Sequence, residues 1–232
     1  MKTKTSKIIT ICLAVIAGVL LFSLLALILN PITYHKFEED GYSFEYRGSF
    51  GKARRVVIKE GGEKISTVRI KSNTAIFESI EDFGAIIADI NGDDNDDILL
   101  PTANDEDGDV IYSVFLFENG EFVKYEDAEL ANPTLDAESG VIYTEETVKV
   151  VIQEATKNSP EFYELTEKIA KHAFDEDGKL ITLAERSIIY YSENDYYCYS
   201  IYEYDEEAKD LAYVDEIWFD PIKLDQYPLA WD

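Results

Sequence analysis

Histidine and cysteine are scarce in this chain of 232 residues, with two of each, and that scarcity excludes several chemistries. His35, beside the apolar N-terminal run, and His172, in a predicted strand, are the only imidazoles, so neither a Ser-His-Asp arrangement nor a His-rich metal centre can be built convincingly from them. Cys12 lies in an apolar N-terminal run and Cys198 is the only thiol beyond it, so no intrachain disulfide can form outside that run. No G-x-S-x-G, HExxH or phosphate-binding Gly loop occurs, which removes the common nucleophile, zinc-hydrolase and nucleotide motifs. No Gly/Ser-rich linker interrupts the chain after the N-terminal run.

Acid is missing from the first 37 residues, and base is sparse after the first seven. Lys2, Lys4 and Lys7 precede an uncharged run over residues 8–29, long enough as a helix to cross a hydrocarbon layer ~30 Å thick. Positive charge on the N-terminal side alone predicts residues 1–7 in the cytoplasm, a transmembrane signal anchor over 8–29, and the rest outside the cell membrane. The rival is a cleaved signal peptide, but Leu27-Ile28-Leu29-Asn30-Pro31 offers no small-x-small cleavage site. Cys12 follows Ile11, so the small residue expected before a lipidated Cys is missing. Residues 30–40 read as a spacer and 41–232 as one extracytoplasmic β domain.

What the chain has in excess is negative charge. Setting aside the three N-terminal Lys leaves 18 basic against 47 acidic side chains, a net of −29. Such a surface repels nucleic acid and anionic lipid and favours cations or a basic partner. Plain solubility explains it as well. The acids alternate with apolar residues, so this is not a disordered acidic tail.

One segment concentrates the acids with regular spacing. Asp89-Ile90-Asn91-Gly92-Asp93-Asp94-Asn95-Asp96-Asp97 sets side-chain oxygens at alternate places around one Gly before the apolar Ile98-Leu99-Leu100. Asp89, Asn91, Asp93 and Asp97, with the main-chain carbonyl of Asn95, form a donor set for Ca²⁺, a hard cation that takes six to eight oxygens. An EF-hand would need a Glu where Leu100 stands and helices on both sides, whereas Ala85 to Ala88 and Ile98 to Leu100 read as strands. The bland alternative is an acidic hairpin turn without metal. Asp105-Glu106-Asp107-Gly108-Asp109 is a poorer copy and reads as a turn from which Asp107 or Asp109 could fold back onto the first ion. Asp175-Glu176-Asp177-Gly178-Lys179 reads as a hairpin loop.

The run from Asp89 resembles the D-x-N-G-D-x-x-x-D-[IL]-[LV] loop of bacterial FG-GAP or VCBS-type repeats, which bind calcium in β-propeller blades. With the strand from Val110 to Phe117, the turn Glu118-Asn119-Gly120-Glu121, Phe122-Val123, Asn132-Pro133 and residues 174–180, the chain is similar over about residues 83–220 to a group of single-loop extracytoplasmic β proteins. That group includes an inhibitor of g-type lysozyme. The resemblance implies a calcium loop on a β scaffold and does not extend to inhibition.

Turn signals divide the rest into strands. Tyr42 to Tyr46 alternates, and Val56 to Ile58 and Ile65 to Ile70 flank Gly61-Gly62. Further hairpins are predicted across Asn119-Gly120, Glu145-Glu146, Asp177-Gly178 and Glu206 to Lys209. Ser159-Pro160-Glu161 followed by Phe162, Leu165 and Ile169 predicts a short helix over 160–167. The fold class is therefore mainly β, with antiparallel meanders forming a partial β-propeller-like or stacked-sheet domain after one N-terminal transmembrane helix. One convincing loop argues against a full propeller ring.

Seven Tyr between Tyr190 and Tyr204 place rings on both strand faces, as core on one side and as cover, or as a stacking surface for a glycan or basic protein, on the other. Two functions follow. The favoured one is a membrane-anchored, calcium-binding, non-catalytic interaction module whose ligand is a cell-wall glycan or a basic protein such as a lysozyme. The alternative is a cell-wall or polysaccharide hydrolase using paired carboxylates.

Overall fold

Positive-φ residues decide where this chain reverses. Asp40-Gly41 and Gly61-Gly62 all have positive φ, the backbone that a tight two-residue hairpin requires. They join strands β1 (Ile32–Glu39) to β2 (Tyr42–Ser49) and β3 (Lys52–Glu60) to β4 (Glu63–Arg69), in a meander of order β1-β2-β3-β4. The computed structural model describes residues 13, 15–25, 32–49, 52–70, 84–154, 161–219, 221, 224, 229 and 231. Among them the fold is mainly β, in three antiparallel sheets with no closed barrel. The chain divides into two compact units, Met1–Thr74 and Ala75–Asp232, both of which the expected single body over 41–232 overlaps.

In the first unit the alternating pattern does what a strand's period of two demands. Phe44 pairs with Ile58 and Tyr46 with Val56, all fully buried, and Phe37 stacks on Phe44 at 4.9 Å. On the opposite face Glu45 is buried beside Arg47 and Lys59, which hold its carboxyl below the usual range, Lys59 first. Gly48 lies where β2 and β3 shift register, and a Cβ there would sit 1.9 Å from the Lys52 carbonyl oxygen. The residues expected to be a spacer instead carry β1, because Phe37 has a partner in Phe44 across the sheet.

Residues 15–25 are helical and exposed. Most of the remainder of the expected 8–29 span lies outside the described residues, and no helix among those described is long and apolar enough to cross a membrane.

The second unit holds a four-stranded sheet, β5 (Ile86–Ala88), β6 (Asp97–Asn104), β7 (Val110–Glu118) and β8 (Glu121–Ala131), in order β5-β6-β7-β8. It also holds a six-stranded meander of β9 (Thr134–Asp136), β10 (Val141–Gln153), β11 (Phe162–Phe174), β12 (Leu180–Tyr191), β13 (Tyr196–Asp205) and β14 (Asp210–Phe219). Leu99, Val110, Val114 and Leu130 of the first sheet share one core with Ile142, Phe174 and Leu180 of the second. Ile188, Tyr199 and Phe219 form another core, against which Leu224 and Leu229 pack.

Two expectations are corrected here. Glu145-Glu146 is no turn: β10 runs through it, with Glu145 opposite Ile169 and Glu146 opposite Lys168, and Glu146 pairs with the Lys168 ammonium at 2.6 Å. Nor does a helix occupy 160–167. Ser159 and Pro160 lie outside the described residues, and from Phe162 onward the chain is β11, with Leu165 opposite both Lys149 and Tyr190. Pairing on both sides outweighs a helical spacing of three apolar residues.

Candidate metal loop

The loop that carries the alternating oxygens bridges β5 and β6, whose last and first residues, Ala88 and Asp97, are directly paired. Eight residues must close over that one pair. Gly92 (φ 78°) and Asp94 (φ 66°) take left-handed backbone to do so. The Asp89 carboxylate organises the turn: one oxygen accepts the Gly92 and Asp93 amides at 2.8 and 3.0 Å, the other the Asp94 amide at 2.9 Å. Asn91 Oδ1 accepts the Asp93 amide. Asp93 Oδ1 accepts the amide and side chain of Asn95, and the Asn95 amide keeps the Asp93 carboxyl below its ordinary range. The sequence thus folds its acids inward on the loop's own N–H groups, a nest of fixed donors.

Asp97 stands apart from these exposed residues. It is fully buried, with Oδ2 accepting the Ile90 amide at 3.3 Å and Oδ1 the Phe117 amide at 2.8 Å. Burial pushes its pKa up to about 6 against the relief those two amides give, and the Asp93 and Asp89 charges push the same way. A buried carboxylate facing two more carboxylates is a costly arrangement unless a cation joins it. No ion pair found among the described residues reaches the loop.

The donor chemistry therefore suits Ca²⁺: three carboxylates, one side-chain amide oxygen and a free choice of main-chain carbonyls, all oxygen. The geometry is less finished. Among the described residues no three His, Cys, Asp or Glu stand at metal-holding spacing, because the Asp89 and Asp93 oxygens are turned to loop amides. Each such oxygen has two lone pairs: Asp89 Oδ1 and Asp93 Oδ1 already accept two donors each, whereas Asp89 Oδ2, Asp93 Oδ2 and Asn91 Oδ1 accept one and keep a lone pair for an ion. The expected set of Asp89, Asn91, Asp93, Asn95 and Asp97 thus shares one loop, with Asp97 anchored from a strand.

Asp107 and Asp109 do not belong with them. Their loop leaves the far end of β6, whose eight residues separate the two turns by on the order of 25 Å. Asp109 has other work: it accepts Asn132 Nδ2 at 2.8 Å and the Thr147 amide at 2.6 Å. Asn132 in turn accepts the Val110 amide and donates to the Glu145 carbonyl, clamping the β6–β7 loop and the end of β8 onto β10. The pair Asn132-Pro133 stands out in the sequence, but nothing local gives Asn132 a role, since its partners lie 13 to 23 residues away.

A second concave region, of about 440 Å³, lies between the two sheets of this unit and is lined by Glu129, Glu146, Lys168, His172 and Glu185, among others. His172 sits between the Thr144 and Thr182 hydroxyls at 3.0 and 3.1 Å, and burial, with Lys168 adding to it, pushes its pKa down to about 4. It is a neutral side chain satisfied by two threonines. The tyrosines divide by face: Tyr163, Tyr190, Tyr197 and Phe219 make ring contacts beside the second core, while Tyr191 stacks on Trp218 at 5.4 Å. In comparisons with family models, curated proteins and solved structures, none matches this chain.

Proposed function

We propose that this chain is a membrane-anchored, extracytoplasmic, calcium-stabilised interaction module without catalytic activity. The observation that carries it is Asp97, buried and amide-held beside Asp89 and Asp93 with no described basic side chain paired to the loop. Ca²⁺ would be held by Asp89, Asn91, Asp93, the Asn95 carbonyl and Asp97, and it would supply fixed positive charge tying the loop to β6 and β7. The likeness of the loop to FG-GAP and VCBS-type repeats supports the same ion, and three antiparallel meanders agree with a partial propeller-like or stacked-sheet body. The anchor is supported by the helical stretch, where Leu20, Leu21 and Phe22 are 65, 67 and 73 % exposed, a surface suited to lipid. A net charge of −26 favours a basic partner over nucleic acid.

The test is thermal. An extracellular-type site with a dissociation constant on the order of 10⁻⁴–10⁻³ M makes Ca²⁺ raise the unfolding temperature, adding about 0.4–1.4 kcal/mol of stability at ~1 mM and about 2.7 kcal/mol at 100-fold excess over that constant. Asp89→Ala combined with Asp93→Ala abolishes the response. Equal calcium dependence in parent and variant sinks the ligand assignment.

The hydrolase reading has one observation in its favour, the cleft that gathers Glu129, Glu146 and Glu185. Release of reducing ends from peptidoglycan or another glycan, abolished by Glu185→Gln, would establish it in place of the binding module.

A further inference from the structure

The six-stranded sheet has two edges of unlike character. At one, β9 meets β10 only through Val141, Ile142 and Tyr143, although β10 continues to Gln153. Beyond that contact Asp109 and Asn132 take the outward groups of Thr147 and Glu145. For Val148 to Ile152, among the described residues, no strand pairs on the side away from β11. Strand alternation from Thr147 points the N–H and C=O of Lys149 outward. Val150, Val151 and Ile152 are 52, 45 and 57 % exposed. Three consecutive β-branched residues on an unpaired edge form a template for another strand.

The opposite edge is defended. In β14 the exposed Tyr213, Val214 and Trp218 are interrupted by Asp215 and Glu216, and a register shift bends it against β13 between Ile201 and Tyr202. Both edges carry a register shift, in β10 between Val151 and Gln153, so it is the acids of β14 that set the two apart and blunt pairing there. The Val148 to Ile152 stretch has no acid within it. Its single charge, Lys149, is already neutralised by Glu161 at 2.5 Å.

We propose that the outer edge of β10 over Val148 to Ile152 binds an extended, basic polypeptide segment by β-strand addition, with lysines or arginines alternating with apolar residues. This rests on the reading of the chain as a binding module for a basic partner. Backbone N–H and C=O groups supply the pairing, Val150 and Ile152 the apolar contact. The charge comes from around the edge: Glu145 precedes it, Glu154 lies at its far end, and the Asp107 charge reaches Lys149, while Glu146 and Glu161 are already paired with Lys168 and Lys149. A second copy is a poor occupant because it brings another −26 charges to the same acidic edge.

The probe is a labelled eight-residue peptide alternating lysine with valine or threonine, titrated into the full-length protein in detergent micelles. Lys149→Pro removes the outward amide, and edge strands tolerate proline; Lys149→Thr removes the ion pair and keeps the amide. Saturable binding to the parent and to Lys149→Thr, weakened about tenfold or more by Lys149→Pro and by N-methylation of alternate peptide amides, supports the proposal. Because the methylated peptide is tested on unaltered protein, the result does not hang on the folding of the proline variant. Equal affinity for parent and Lys149→Pro, or for native and methylated peptide, overturns strand addition while leaving an acidic binding module in place. Concentration-dependent self-association abolished by Lys149→Pro overturns the choice of partner. Saturable glycan binding unaffected by Lys149→Pro, with no peptide binding, overturns the edge as the binding surface. The calcium-dependent melting test fails or succeeds independently of all these arms.

Discussion

Asp97 and His172 are ionisable groups displaced in opposite senses, and their linkage to folding can be worked out separately. The folded state raises Asp97 from 3.8 to about 6, so its protonated form stabilises the fold fully below ~3.8, and that contribution fades as pH rises through about 6. His172 is lowered from 6.5 to about 4; its neutral form stabilises above ~6.5, and that contribution is lost as pH falls through about 4. Between these limits the two oppose each other, and above ~6.5 neither changes further. At pH 7 without calcium, holding Asp97 ionised in its buried place costs about 3 kcal/mol, the free energy that corresponds to raising its pKa from 3.8 to about 6. Asp97→Asn relieves that cost but turns an N–H toward an amide that needs an acceptor, at about 1–3 kcal/mol. The two nearly cancel at neutral pH, so the slope is the informative quantity. Urea denaturation in chelator at pH 4.5 to 7 should show the parent losing relative stability against Asp97→Asn as pH rises. Calcium should restore the parent, increasingly so above pH 6, because the ion requires the deprotonated form. A variant whose stability tracks the parent's at every pH places the charge elsewhere.

At the scale of strands and turns, the Asp109 clamp joins separate sheets, so its removal should loosen an interface rather than one hairpin. Asp109→Ala takes the acceptor from the half-buried Thr147 amide and leaves Asn132 Nδ2 only the Glu145 carbonyl, at a cost of about 1 kcal/mol, the low end for a donor that water can still reach. Hydrogen exchange at Thr147 should quicken well before exchange in β12 and β13, which lie away from the clamp; uniform acceleration would mean the clamp is incidental. This contact also marks the limit of what the sequence shows. Hairpins at Gly61-Gly62, Asn119-Gly120 and Asp177-Gly178 were legible because each needs positive φ at residues that adopt it cheaply, and all three occur. Glu145-Glu146 carries no such residue, so nothing there reverses the chain, and charge alone does not make a turn. Phe162, Leu165 and Ile169 fit a helix or a strand, and only their partners on β10 and β12 decide. The loop from Asp89 to Asp97 was legible as a unit because its ligands lie within nine positions. The amide that holds Asp97, from Phe117, lies 20 residues away and was not.

For the molecule as a whole, the question is whether calcium acts at one loop or merely thins a cloud of repulsion. A chain with 47 acids and 21 bases is destabilised by its own field, and any salt relieves part of that. Sodium chloride raised from ~0.01 to ~0.15 M shortens the screening length from ~30 to ~8 Å, so the melting temperature should climb in the parent and in the Asp89→Ala, Asp93→Ala variant alike. Calcium chloride at ~1 mM adds only ~3 mM of ionic strength, too little to screen at that range. A rise with ~1 mM calcium on top of ~0.15 M salt, confined to the parent, is therefore binding at the loop. Magnesium separates site from cloud once more: it carries the same charge but demands octahedral geometry and sheds water reluctantly, so it should reproduce the screening and little of the specific rise. Should magnesium match calcium degree for degree, or should the variant respond like the parent, the ion is countering diffuse charge, and Asp97 owes its burial to the Ile90 and Phe117 amides alone.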